Sequence, residues 1–150
     1  MATKAGGALT LAPLISATWT GKANSDWGNS SNWTPRVVPG SGDTASFNAP
    51  DGANTTVSLG AGRTINTILF DVVTAGHQTI GSGGIRDQDL TLNDGGAIRV
   101  DSPVINDQRI NANVILGTDR SVSSTITFTN DSTTASLTIA GNVTGATSGI

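Results

Sequence analysis

The chain has 150 residues, a formal net charge of −3 and no cysteine, a length that suits one domain with a buried core. The missing thiols exclude a cysteine nucleophile and cysteine-based zinc sites, and a single histidine, His77, excludes a histidine-rich metal centre. Lys and Arg are few and scattered, so there is no basic stripe of the kind that nucleic-acid binding needs.

All 11 acidic residues are Asp, and Gly, Ser, Thr and Asn fill 68 positions. Helix surfaces favour Glu, Lys, Ala and Leu, whereas turns favour Asp, Asn, Gly and Ser. With 22 threonines and frequent Val and Ile, the chain reads as strands and turns. Disorder couples low hydrophobicity to high charge, and here charged residues are only 13%.

Residues 1–17 carry Lys4 and a mildly apolar run that ends at Ser16-Ala17, which reads as a signal-like segment or as an N-terminal apolar strand. Leu9, Leu11, Leu14 and Ile15 belong to that run, and the alternation Ile15, Ala17, Trp19 continues it past Pro13. Pro13 places such a strand at an edge or a bend. No stretch approaches the ~20 apolar residues of a transmembrane helix. No cofactor is called for by any motif.

Residues 18–150 form one β-rich domain. Its opening segment, 18–47, holds all three tryptophans: Trp19, Trp27 and Trp33. They suit either an aromatic face that stacks on sugars, with Asn24, Asp26 and Asn32 at its edges, or a cap over the end of a solenoid. After residue 50, short apolar alternations recur. They are 55–59, 64–70, 78–80, 90–92, 97–100, 113–116, 125–128 and 136–139, with turn chemistry between them, including Asn93-Asp94-Gly95-Gly96. No window has a helical period of convincing length. The short strands and small aliphatic residues favour a parallel β-helix or β-solenoid, with a β-sandwich or jelly roll as the alternative.

Trp19-Thr20-Gly21, Asp26-Trp27, Ser31-Asn32-Trp33 and the run Val38-Pro39-Gly40-Ser41-Gly42-Asp43-Thr44-Ala45-Ser46-Phe47 resemble the start of bacterial passenger-type domains that carry autotransporter-associated β-strand repeats. In that family a "WTG…W…NW…VP…GDTA.F" opening precedes a run of short strands, and Thr64-Ile65-Asn66-Thr67-Ile68-Leu69-Phe70 is similar to its "T-I…I-L-F" element. The resemblance covers nearly the whole chain. It implies a right-handed parallel β-helix, exported and displayed or released. In the family the pattern runs on into further strands and a translocator barrel. Here it stops at Gly149-Ile150, so the expectation is a fragment, a short relative, or a unit that finds its next coil on another molecule.

Two chemical readings remain. Asp87, Asp89 and Asp94 are a candidate calcium cluster, although their spacing is not that of an EF-hand loop. Arg86, Asp87 and Asp89 are candidate groove residues of a polysaccharide-degrading β-helix, which needs two carboxylates facing each other across the cleft. The bland reading is that Asp beside Gly caps turns. His77, without a second histidine or a positioned serine motif, reads as a surface residue. Sequons begin at Asn29, Asn32, Asn54, Asn130 and Asn142 and matter only in a glycosylating source.

The expectation is therefore a non-enzymatic structural module of the cell surface or extracellular matrix. Its partner is another copy of itself, through fibre-forming strand addition by Leu9, Leu11, Leu14 and Ile15. The alternatives are a carbohydrate-binding module that meets polysaccharide through the tryptophans, or a polysaccharide-degrading enzyme. Neither nucleic acid nor a membrane-spanning segment is expected.

Overall fold

The computed structural model describes residues 13–117 and 125–145. Of the expected assembly strand, Leu9 and Leu11 lie outside the described residues, as does Ile150. Among the described residues there is no α-helix, only a 3-10 turn at Ser30–Asn32.

The strands are β1 (Ser16–Trp19), β2 (Trp33–Thr34), β3 (Thr44–Phe47), β4 (Thr56–Val57), β5 (Arg63–Phe70) and β6 (Thr79–Ile80). They continue with β7 (Asp89–Val100), β8 (Gln108–Ile110), β9 (Asn113–Leu116), β10 (Thr127–Asn130), β11 (Leu137–Ile139) and β12 (Val143–Gly145). Every pairing between them is parallel except β1 with β2. Parallel neighbours separated by a full circuit of chain define a β-solenoid, here of about four turns. The sandwich alternative would need antiparallel sheets facing each other, and these are absent among the described residues.

Three columns of strands run along the solenoid. One stacks β1, β3, the second half of β5, the second half of β7, and β10. A second stacks the first halves of β5 and β7, then β9 and β12. The third stacks β4, β6, β8 and β11. Coil length varies. Thr44 pairs with Thr67, a step of 23 residues, while Thr67 pairs with Ala97 and Ala97 with Thr127, steps of 30.

In-register stacking puts like side chains on top of one another. Val57, Ile80 and Ile110 lie in one ladder and are fully buried. Ala17, Ala45, Ile68 and Ile98 form another. The β-branched and aliphatic residues seen in the sequence alternations thus form the interior. Burial of each contributes roughly 1.5–3 kcal/mol relative to exposure.

One sequence expectation is corrected. Asn93-Asp94-Gly95-Gly96 reads as a turn, yet β7 runs through it as one strand of 12 residues. The register against β5 shifts there: Leu92 faces Ile65 and Ala97 faces Thr67. The extra residues form a bulge, and Gly95 at φ 73° supplies the left-handed conformation that the bend requires. The strand β8 was not anticipated, because Gln108-Arg109-Ile110 shows a single apolar residue.

Candidate functional site

The two ends of the solenoid differ. At the N-terminal end the tryptophans fill the interior: Trp19, Trp27 and Trp33 are all buried, together with Phe47 and Phe70. Trp33 meets Trp19 and Trp27 edge to face, at ring-centroid distances of 5.1 and 5.0 Å. Such pairs add about 0.5–1.5 kcal/mol beyond area burial. Trp19 Nε1 donates to the Asn54 carbonyl and Trp33 Nε1 to the Trp27 carbonyl, each at 2.8 Å. Trp27 Nε1 is buried and has no partner.

The backbone around these rings closes the end. The antiparallel strand β2 covers β1 at Thr18 and Trp19. Asp26 bridges to Ser58, and Trp27 N–H donates to the Ser58 carbonyl at 3.0 Å. The buried Asn32 ties this segment together. Its Oδ1 accepts from the N–H groups of Ala23 and Asn24, at 2.9 and 3.0 Å, and its Nδ2 donates to Asn24 Oδ1 and the Asp26 carbonyl. Asp43 clips the incoming chain: Oδ1 accepts from Ile15 N–H and Oδ2 from Gly40 N–H. Of the expected assembly residues, Ile15 is held by that clip. Leu14 is 77% exposed beside an open groove of about 530 Å³, lined also by Pro13, Val37 and Val38.

At the C-terminal end no described strand lies on the last coil. The outer edges of β10, β11 and β12 are unpaired by any other described strand. All four residues of β10 are exposed, and Phe128 and Val143 are 39% and 49% exposed. Ile126, Leu137 and Ile139 are partly buried against the core.

Between the ends, side chains fasten coil to coil. All three glutamines of the chain do this. Gln108 Oε1 accepts from Gln78 N–H at 3.2 Å, its Nε2 donates to the Gly76 carbonyl at 3.0 Å, and Gln78 Nε2 donates to the Ala49 carbonyl at 2.6 Å. Gln88 Oε1 accepts from Leu59 and Ser82 N–H. None of the three was singled out from sequence. The available signal was the match of Gln78-Thr79-Ile80 with Gln108-Arg109-Ile110, 30 residues on.

The corner aspartates act alike. Asp51 accepts from the His77 N–H at 2.8 Å and sits 3.1 Å from His77 Nδ1. Asp107 accepts from the Ser136 N–H and hydroxyl at 2.7 and 2.9 Å. Hydrogen bonds from the backbone of His77 and of Ser136, above all, hold these two carboxyls below their ordinary value.

The candidate calcium residues have separate partners. Asp87 Oδ2 accepts from Gly84 N–H, Asp89 Oδ1 accepts from Asn113 Nδ2, and Asp94 Oδ1 lies beside Gly117. No cluster of three metal-ligating side chains occurs among the described residues. No helix among the described residues is long and apolar enough to cross a membrane. No protein-family model, no curated protein and no solved structure matches this chain.

Proposed function

We propose that this chain is an exported structural module of the cell surface or extracellular matrix. It acts as a short rigid rod, and it associates with other copies by strand addition. The observation that carries this reading is the division of labour among the side chains. Apolar residues fill stacked ladders, buried or corner polar groups bond one coil to the next, and β10, β11 and β12 each have a described strand on one side only. An unpaired parallel edge templates further strands. The resemblance to passenger-type repeat domains points to the same surface role.

The carbohydrate-binding alternative gains little support, since a ring without an exposed face cannot stack on a sugar. Polysaccharide degradation gains as little. Asp87 is engaged by the Gly84 N–H in its own turn and Asp89 by Asn113 Nδ2 of the next coil.

The test is protease shaving of intact source cells, with the medium assayed in parallel. Peptides from exposed loops, or intact chain in the medium, are expected. Confinement of the chain to the cell interior would overturn the reading. The fibre route through residues 9–15 is tested separately. Removal of residues 1–12, which leaves β1 whole, should abolish long assemblies seen by negative-stain microscopy, and fibres unchanged by that removal would exclude the route.

A further inference from the structure

We propose that Arg109 is the centre of an oxyanion-binding site on the outer face of the column β4, β6, β8 and β11, and that its ligand is an acidic group carried on a polysaccharide. The proposal rests on the structural-module reading and names a partner for it. The contact is ionic, so it needs no exposed aromatic ring.

Alternation along β8 turns Gln108 and Ile110 inward, where both are buried, and leaves Arg109 on the outer face, partly exposed. In-register stacking sets Thr79 of β6 on one side of Arg109 and Thr138 of β11 on the other, about 4.8 Å away from strand to strand. The cation therefore has a hydroxyl-bearing residue on each flank.

Arg109 has no carboxylate partner among the described residues, and the neighbouring contacts show why. Arg99 and Asp101, two residues apart, close on each other at 2.9 Å. Asp107 and Arg109 have the same spacing and form no ion pair. Asp107 Oδ1 accepts instead from the N–H and hydroxyl of Ser136 in the next coil, at 2.7 and 2.9 Å. Arg109 Nε donates to Asn111 Oδ1 at 2.6 Å, and Asn111 flanks it on the side away from Asp107. His77, two residues before Thr79 on the same face, pairs with Asp51 at 3.1 Å. The guanidinium is thus fixed at Nε while its terminal N–H groups have no hydrogen-bond partner among the described residues.

A guanidinium fork matches the paired oxygens of a carboxylate or a sulfate ester. Thr79 and Thr138 can add hydroxyl donors from either flank. Thr138 is exposed, and the ladder runs open along the solenoid axis. Small solutes need a concave site, whereas an open ladder suits one charged group on a long chain. Asp107 and the net charge of −3 oppose such a ligand at longer range, so the binding is weak and salt-sensitive.

Amide chemical shifts of the full chain, titrated with an oligomer of galacturonic acid at about 0.01 M ionic strength, test this. Shifts are expected at Thr79, Arg109, Asn111 and Thr138. Arg109→Gln should weaken binding about tenfold or more. Arg109→Lys should weaken it too, because it keeps the charge and loses the fork. Asp107→Asn should tighten it, which keeps the test informative if Arg109→Gln misfolds. Arg36→Gln, at an exposed cation elsewhere, should leave it unchanged. The proposal is overturned by no shifts at these residues up to about 10 mM sugar, by equal weakening from Arg36→Gln, or by equal binding of a neutral oligosaccharide. Inorganic sulfate that binds as tightly as the oligomer overturns the polysaccharide as the source of the anion. Failure here leaves the surface-module reading intact, because that reading stands or falls on the shaving experiment.

Discussion

Phe128 occupies the rung next to Ile98 in the same ladder, yet Ile98 is fully buried and Phe128 is 39% exposed. The two positions share a column and a strand register. They differ in that Ile98 has a described strand on each side, whereas Phe128 has one on a single side only. That contrast shows how much a coil owes to its neighbours.

The tryptophan plug should be a principal source of stability. Trp33→Ala removes the ring that contacts both other indoles, and a cost of about 3–5 kcal/mol is expected in urea unfolding. In the native protein, tryptophan emission should be blue-shifted, poorly quenched by acrylamide and unmoved by soluble polysaccharides. Strong quenching would place the rings at the surface.

Much of this was legible in the sequence, and the failures have physical causes. The turn-punctuated alternation indicated strands, and the aromatic-poor chain marked its three indoles. The run 93–96 misled because Asn-Asp-Gly-Gly suits a bulge as well as it suits a turn, and only the partner strand decides which forms. Gln108 hid β8 because a solenoid corner can satisfy a buried amide through carbonyls of the coil below, and those partners lie far away in sequence. Asn32 reads from sequence as a polar edge of an aromatic face, but it is buried and bonds to Ala23, Asn24 and Asp26 within its own segment.

Asn32→Ala should therefore cost more than a surface substitution. It strips the acceptor from the N–H groups of Ala23 and Asn24 and opens a polar gap beneath the plug. A loss of roughly 1–3 kcal/mol is expected in chemical denaturation. A change within about 0.5 kcal/mol, the range of ordinary surface changes, would mean that water replaces the amide fully.

Gly81 stands at φ 103°, and a Cβ there would meet Ala112 N at 2.7 Å. Gly81→Ala should thus destabilise through both the backbone and the contact with the neighbouring coil, by about 2 kcal/mol or more. Thermal unfolding measures it. An unchanged melting temperature would require that the two coils separate there without cost.

Acid should weaken the corners. The carboxyls of Asp51 and Asp107 sit below their ordinary value of 3.8 in the folded chain. The unfolded state therefore takes up protons first as pH falls. Their contribution is complete above that ordinary value and disappears as pH drops through the lower, folded value. The double variant Asp51→Asn, Asp107→Asn should show a shallower loss of stability on acidification below about pH 5. An identical acid profile would assign the acid sensitivity to other groups.

Residue-resolved amide exchange, at a concentration low enough to keep the chain monomeric, probes the asymmetry of the stack most directly. Slow exchange is predicted for Ile80, Ile110 and the amides of β3 and β5, persisting into the plugged end at Trp19 and Trp27, with fast exchange confined to β10, β11 and β12. Fast exchange at the plug, or uniform protection that includes the last coil, would contradict the account.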